Sequence, residues 1–326
     1  MPLRASPEKV TGPEVFFSPG PKPPALRGVA LTMSLGFRYL GPTLLGLCLV
    51  SCSASPSATV PNDASAPDAP RECGPPPGGV ASDDARCVRS VEGRLADDRG
   101  APVRDLTVTV CGLVCFAALS DTGGNFSVPV DAFLPEGGYA VTANGRPTFG
   151  GIYTRLPAGA EGTVRLAEPV VLPRFEAEAP LLPGDAVGGV VRAGPLTLDI
   201  PEGTTWDLEL EDLTDPTEGR KLRVAQVRDE SRRPAFAKGA AIVLALGPFK
   251  AKPSKPVPVT ITTDALPKGT AVDFVVMTDD GLAAKNDAGL GRVVARGRVS
   301  DDGKTVRTDP GQGIDRLTWL AVVPSK

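Results

Sequence analysis

The sequence predicts an all-β protein made of two tandem antiparallel β-sandwich domains. Three observations support this: the 326 residues include 37 glycines and 35 prolines, only 5% of them are aromatic, and strand-forming residues occur in short runs. Short strands bounded by glycine, proline and aspartate are typical of sandwich folds. Ahead of the sandwiches we expect a disordered N-terminus, a short signal helix and a proline-rich tether.

Residues 1–32 are predicted to be disordered. They contain seven prolines and show no apolar periodicity, so they offer no face to bury in a core. The chain from Met33 has the layout of a leader, because Arg38 precedes an apolar run at residues 40–50. We therefore expect translation to start at Met33, leaving residues 1–32 untranslated. The apolar run is shorter than the roughly 20 residues that span a bilayer.

The apolar run ends in the motif Leu49-Val50-Ser51-Cys52. This motif resembles the lipobox of bacterial lipoproteins. The resemblance implies that residues 33–51 are a lipoprotein signal peptide, and that Cys52 becomes the N-terminus and carries diacylglycerol and a further acyl chain such as palmitate. Acyl chains contribute about 0.8 kcal/mol per buried methylene, so several chains together make a stable membrane anchor. A buried structural cysteine is the alternative, which the small residues around Cys52 and the helix breakers after it disfavour.

The residue after the lipobox cysteine bears on location. In lipoproteins of this type an aspartate there commonly retains the protein at the inner membrane, whereas this chain has Ser53. The resemblance therefore implies a lipid-anchored protein of the cell envelope, at the outer membrane. Residues 52–86 form the predicted tether, which is rich in proline, alanine, serine and aspartate. In polyproline II form, the roughly 20 residues before Cys73 reach about 60 Å at most.

The four remaining cysteines are Cys73, Cys87, Cys111 and Cys115. An even number in an exported chain favours two disulfides, for which three connectivities are possible. We favour Cys73–Cys87 with Cys111–Cys115, because each pair closes a small loop within its own segment. The second pair requires a tight turn at Gly112 to bring its Cα atoms within about 7 Å. A zinc site is the alternative, but the spacing of the last two cysteines is unusual for one and the chain has no histidine.

Residues 88–175 are predicted to form the first sandwich. Strands are expected at residues 91–95, 106–110, 125–128, 139–143 and 163–166, with turns at 97–100 and 121–124. The motifs are Val91-x-Gly93, Asp98-x-Gly100-x-Pro102-Val103 and Asp121-x-x-Gly124-x-Phe126-x-Val128. Together they resemble the carboxypeptidase regulatory-like domain, a transthyretin-type Greek-key sandwich. The resemblance implies a non-catalytic spacer, folding aid or binding module.

Residues 185–326 are predicted to form the second sandwich. Strands are expected at residues 196–200, 222–227, 241–246, 257–261, 271–276, 291–299 and 317–322. The motifs are Gly194-Pro195-Leu196-Thr197-Leu198-Asp199-Ile200-Pro201-Glu202-Gly203, Leu246-Gly247-Pro248 and Trp319-Leu320-Ala321-Val322. Their order resembles the bacterial version of the ZU5 domain, which implies a role in protein interaction and no catalytic residue.

Composition limits the chemistry of the chain. Histidine is absent, which removes the commonest general base, the commonest zinc ligand and the usual partner of a serine or cysteine nucleophile. We therefore predict no enzyme activity, no catalytic residue, no metal and no cofactor. The net charge of −3 argues against a nucleic-acid partner, because phosphates would not be attracted.

Three sets of residues remain as weaker candidates for binding. The aspartate pairs of the turns could bind calcium, although turns require aspartate for their own geometry. Four aromatic residues could form a stacking platform, although core packing is the usual role. A basic patch could face an anionic ligand, although solvated surface is the simpler reading. The sets are Asp97-Asp98, Asp279-Asp280 and Asp301-Asp302; Tyr139, Phe149, Tyr153 and Trp206; and Arg232, Arg233, Lys250, Lys252 and Lys255.

These observations predict a non-enzymatic cell-envelope lipoprotein that presents its sandwiches for binding or structural roles at the cell surface. Its partners would be the membrane, through the lipid anchor, and a protein or polysaccharide ligand. The alternative is an accessory or regulatory subunit of an envelope hydrolase or secretion system.

Overall fold

Nearly every regular element is a β-strand, which confirms the predicted all-β class. The computed structural model describes residues 73–75, 83–176, 178–215, 217–279 and 287–325. Within these ranges one short helix, α1 (Leu210–Leu213), accompanies the strands, with 3₁₀ turns at Glu230–Arg232 and Ala235–Ala237. No helix of the described ranges combines the length and the apolar character needed to cross a membrane. The predicted signal peptide, Cys52 and most of the tether lie outside the described residues.

The first eight strands form a two-layered sandwich. One sheet has the order β4-β1-β7, with β8 also pairing with β1, and the other has the order β3-β2-β5-β6. The strands are β1 (Arg86–Asp97), β2 (Thr107–Cys111), β3 (Cys115–Leu119), β4 (Asn125–Leu134), β5 (Ala140–Asn144), β6 (Gly151–Arg155), β7 (Gly162–Arg165) and β8 (Val170–Leu172). Strand β4 alternates between exposed and buried side chains over all ten residues, so one face covers the core and the other meets water.

Strand β1 is central to the first sheet. It runs antiparallel to β4 but parallel to both β7 and β8. The parallel pairs arise because the chain crosses to the other sheet for β5 and β6 before it returns beside β1. In this respect the sheet differs from the purely antiparallel pairing that the sequence predicts. Residues 166–169 leave the sheet between β7 and β8 and form a loop on its surface.

Two disulfides are present in this sandwich. Cys111 and Cys115 are joined across the β2–β3 hairpin, where they are also register partners, as predicted. Gly112 makes the turn possible for a steric reason, since a Cβ there would lie 2.4 Å from the carbonyl oxygen of Gly138. The second disulfide joins Cys73 to Cys87, and so fixes residues 73–75 to the start of β1.

The remaining strands form a nine-stranded sheet and a two-stranded ribbon. The sheet has the order β12-β13-β19-β16-β17-β18-β15-β10-β9, and the ribbon pairs β11 with β14. The strands are β9 (Gly189–Ala193), β10 (Leu196–Ile200), β11 (Trp206–Asp207), β12 (Arg223–Gln226), β13 (Ile242–Gly247), β14 (Lys252–Pro253), β15 (Val259–Thr262), β16 (Ala271–Met277), β17 (Gly291–Val299), β18 (Thr305–Thr308) and β19 (Trp319–Pro324). Leu198 of β10 and Leu246 of β13 share one core although their strands lie far apart in the sheet. The sheet therefore folds back over itself as a sandwich.

Strand β13 is buried on both faces. Ile242, Leu244 and Leu246 point into the core of the nine-stranded sheet, whereas Val243 and Ala245 point into the core of the first sandwich. Strands β12, β16 and β19 divide their side chains between the two cores in the same way. A strand covered on both sides needs an unbroken apolar run, as β13 has. The first sandwich therefore packs against the outer face of the nine-stranded sheet.

A buried hydrogen bond crosses this contact. The indole Nε1 of Trp319 donates to the carbonyl oxygen of Gly151 at 2.8 Å, and Trp319 is fully buried. Both sheet systems belong to one unit, Ser65–Lys326. The two sheet systems share a hydrophobic cluster, whereas separate domains each have their own core. The domain ranges 88–175 and 185–326 therefore stay a prediction.

We expect Trp319→Phe to destabilise the protein by about 2 kcal/mol. The substitution leaves the Gly151 carbonyl buried without its donor and removes packed volume. Urea unfolding would measure the change. Trp206→Phe is the matched control, because Trp206 is also buried but its Nε1 has no hydrogen-bond partner among the described residues. An equal or larger loss in Trp206→Phe would show that the bond to Gly151 does not stabilise the contact.

Candidate functional site

A cleft of about 520 Å³ lies where the first sandwich meets the 3₁₀ turns of the second segment. Its walls come from β6, from the loop between β7 and β8, and from residues 231–238. A volume of this size lies within the range of ligand-binding pockets, about 300–1,000 Å³. Because the two sheet systems share a core, both walls are held in fixed positions.

Five of the residues that line the cleft are cationic and one is acidic. The cations are Arg155, Arg165, Arg232, Arg233 and Lys238, and the carboxylate is Glu168. The whole chain carries a net charge of −3, so this surface has the opposite sign to the protein as a whole. A cleft lined by one sign of charge focuses the field and raises the local concentration of counter-ions. The lining therefore favours an anionic ligand.

Arg233 is held rigidly at the wall of the cleft. Its guanidinium donates to three backbone carbonyl oxygens, those of Val227 at 3.2 Å, Ala240 at 2.6 Å and Arg228 at 3.0 Å. Carbonyl groups satisfy these donors but carry no formal charge, so the positive charge of Arg233 is not neutralised by them. Fixing a guanidinium in this way reduces the entropy that binding an anion would cost.

The more exposed cations have only loose partners. Arg165 Nε lies 3.0 Å from Glu92 Oε2, but the arginine side chain is 79% exposed. Lys238 Nζ lies 4.0 Å from Glu168 Oε2, a contact that joins the two walls. Exposed pairs of this kind contribute about 0–1 kcal/mol, so an anionic ligand can compete for the cations.

A second hollow, of about 650 Å³, adjoins the cleft. Both are lined by Arg165, Leu166, Ala167, Glu168 and Pro169, the end of β7 and the loop that follows. The second hollow lies over the outer face of β1 and β4. The two hollows therefore form an extended surface on either side of one loop, which suits a polymer better than a compact small molecule.

The basic patch predicted from the sequence divides between several places. Arg232 and Arg233 reach the cleft, but Lys250, Lys252 and Lys255 do not line it. Lys250 Nζ lies 3.4 Å from Glu209 and 5.7 Å from the ring centre of Tyr153. Lys252 pairs with the buried Asp279, and Lys255 donates to the Glu202 carbonyl oxygen. The sequence missed Arg155 and Arg165, because only the packing of the two segments brings them beside residues 231–238.

The predicted aromatic platform is not present on the surface. Tyr139, Tyr153 and Trp206 are buried, and burial raises the pKa of both tyrosines. Phe149 is half-buried, with the guanidinium of Arg174 at 4.6 Å from its ring centre. Core packing therefore accounts for three of these rings.

Three aspartates of the predicted turns accept hydrogen bonds from two or more turn groups or from the backbone of the turn itself, whereas Asp279 forms ion pairs with Lys252 and Arg316. Asp121 Oδ1 accepts from the N–H groups of Gly123 and Asn125 at 2.8 and 2.7 Å. The Asn125 side chain and backbone lower the pKa of this carboxyl group. Asp97 and Asp302 accept backbone N–H groups in the same manner. In the part of the chain that the structure describes, no group of three or more histidine, cysteine, aspartate or glutamate side chains is arranged to hold a metal ion.

An ion pair with an unusual carboxyl group also joins the two segments. Arg146, after β5, lies 3.0 Å from Asp212 of α1 and 3.5 Å from Asp215. Burial raises the pKa of Asp212 to about 6 despite the neighbouring guanidinium. The pKa of Asp215 is lowered instead, chiefly by a hydrogen bond from the backbone N–H of Glu218. The pKa values of two neighbouring carboxyl groups are therefore shifted in opposite directions.

We expect Asp212→Asn to become more stable relative to the wild type as pH rises from about 4 to 6. A folded-state pKa of about 6, above the unfolded value of about 3.9, means that ionising Asp212 costs stability across this window. Asparagine does not ionise, so the variant does not lose this stability, which amounts to about 2 kcal/mol. Unfolding free energies measured at several pH values would test this.

The control for this experiment is Asp215→Asn. Its lowered pKa contributes stability that is present above about pH 4 and is lost as pH falls, so this variant should lose stability relative to the wild type as pH rises. Parallel curves for Asp212→Asn and the wild type between pH 4 and 6 would contradict the assignment.

No protein-family model matches this sequence, and no curated protein sequence matches it. Among solved structures it is similar to a proposed carbohydrate-binding protein from Bacteroides uniformis, with 8% identity and a TM-score of 0.20, over 73% of this chain and 80% of that one. A similarity of this size identifies neither a family nor a ligand for this chain.

Proposed function

We propose that this protein is a non-enzymatic, lipid-anchored protein of the cell envelope that binds an acidic polysaccharide in the cleft beside residues 165–169. The observation that carries the binding role is the set of five cationic residues among those that line this cleft, on a chain of net negative charge. Clustered cations on opposed walls attract a polymer with repeated carboxylates through many weak contacts.

The form of the site supports a polymer. The cleft and the adjoining hollow meet at the same loop, so a polysaccharide could extend from one to the other. Apolar side chains of the cleft, among them Phe236, Leu290 and Val171, can cover the less polar faces of sugar rings. An acidic peptide offers the same charges, and its binding is an outcome of the experiment below.

The proposed location depends on the lipobox at residues 49–52. A lipid anchor at Cys52 would hold the cleft close to the polymers of the envelope. Each sandwich would then serve as a rigid wall of the binding site, which agrees with the fixed contact between them.

We expect palmitate to label the wild-type chain but not Cys52→Ser. The reason is that the lipobox resemblance assigns the acylated sulfur to Cys52. Metabolic labelling followed by membrane fractionation would measure this, and Cys52→Ser should move to the soluble fraction. Equal labelling of both chains, or none in the wild type, would contradict the anchor.

We expect the full chain to bind oligogalacturonate at least about tenfold more tightly than the same oligosaccharide with its carboxylates methyl-esterified. The double variant Arg165→Glu, Lys238→Glu should lose about tenfold in affinity, equivalent to about 1.4 kcal/mol. Both side chains are at least half exposed, so the fold should be unaffected. Isothermal titration calorimetry at low and high salt would measure the binding, which should weaken with salt.

The matched control is Arg307→Glu, which reverses an exposed charge on β18 away from the cleft. It should bind as the wild type does. Equal affinity for the charged and esterified oligosaccharides would contradict the proposal. Tighter binding of polyglutamate would indicate that the ligand is an acidic peptide and not a polysaccharide.

A further inference from the structure

We propose that the end of the first sandwich where the tether enters faces the bilayer, and that the disulfide-closed tip at residues 112–114 inserts into the lipid surface. This inference rests on the proposed lipid anchor at Cys52. It commits to a lipid surface as the occupant of the tip, and it concerns a different face from the cationic cleft.

Three pieces of chain meet at this end of the sandwich. The first is the start of β1, where Arg86 pairs with Leu134 and Cys87 pairs with Phe133. The second is the turn that follows β4, at residues 135–139. Because β1 and β4 are antiparallel, the start of one and the end of the other lie side by side.

The third piece is the tip of the β2–β3 hairpin. Cys111 pairs with Ala140, the first residue of β5. Gly112 lies so close to Gly138 that no side chain would fit between them. Since Gly138 belongs to the turn after β4, the tip lies at the same end as Cys87.

The tether is fixed to this end. The disulfide between Cys73 and Cys87 joins it to the start of β1, and the N–H of Gly74 donates to the carbonyl oxygen of Asp131 at 2.8 Å. All of the chain that precedes Cys73 is therefore attached here. A lipid anchor at the far end of the tether would draw this end, rather than the opposite one, towards the membrane.

The tip is apolar and exposed. Leu113 and Val114 are 44% and 38% exposed, and Phe133 at the same end is 39% exposed. Exposed apolar side chains that cluster at one end of a protein mark an interaction surface. The Cys111–Cys115 disulfide closes the loop, so inserting it costs little ordering entropy. Arg86 and Glu136 both line this end, so the tip is not dominated by one sign of charge and its insertion should depend little on salt.

The experiment uses the lipidated full chain, purified from envelopes and reconstituted into phosphatidylcholine vesicles. In Leu113→Trp the added indole should be quenched at least twofold more by lipids brominated on their acyl chains than by unmodified lipids. Leu119→Trp is the matched control, because Leu119 is an even more exposed leucine at the other end of β3, about 13 Å along the strand. Its added indole should not be quenched.

The outcomes separate this inference from the anchor itself. A chain that sediments with the vesicles and shows no more quenching at Leu113→Trp than at Leu119→Trp would overturn the inserted tip alone. A wild-type chain that stays in the supernatant would overturn the anchor, and the inserted tip with it. Quenching that disappears in high salt would also overturn the tip, because it would indicate binding by charge rather than insertion.

Discussion

The burial of the central strands of the nine-stranded sheet on both faces is the constraint on which the rest of this structure depends. Strand β13 sends alternate side chains into two cores, and β19 does the same while Trp319 donates to Gly151. The first sandwich therefore replaces water on the outer face of this sheet. Removing it would expose Val243, Ala245 and Ala321. Burying such side chains is the main favourable contribution to folding, so the two sandwiches depend on each other.

The cleft follows from this contact. Two curved sheet systems that pack at their centres leave a hollow at the margin, and here the loop at residues 166–169 and the 3₁₀ turns at residues 230–237 border it. Arg155 and Arg165 come from one sheet system, and Arg233 and Lys238 come from the other. A shared core keeps the backbone segments that carry these charges at fixed separations, which lowers the entropic cost of binding an anion between them.

Local patterns predicted most of the strands. Strands β10 and β17 begin and end where alternation and flanking turn residues place them, and Asp121 forms the predicted turn because its carboxylate accepts the backbone N–H groups of residues 123 and 125. Strands β3, β6, β8, β9, β11, β14 and β18 were missed. The last four of the five residues of β3 are all apolar or small, and β8 has only three residues, so neither shows an alternation that a sequence pattern could reveal.

The sequence by itself determined the all-β class, the turns and the Cys111–Cys115 pair, because each depends on residues close together along the chain. It also supplied the resemblance of residues 49–52 to a lipobox, on which the proposed anchor depends. Only the tertiary structure decided that the run at β13 contributes to two cores, that Arg165 and Lys238 line one cleft, and that the tip at residues 112–114 lies at the same end as Cys87. Each of these depends on which faces of distant strands pack together, and apolar alternation shows that a face is buried but not what covers it.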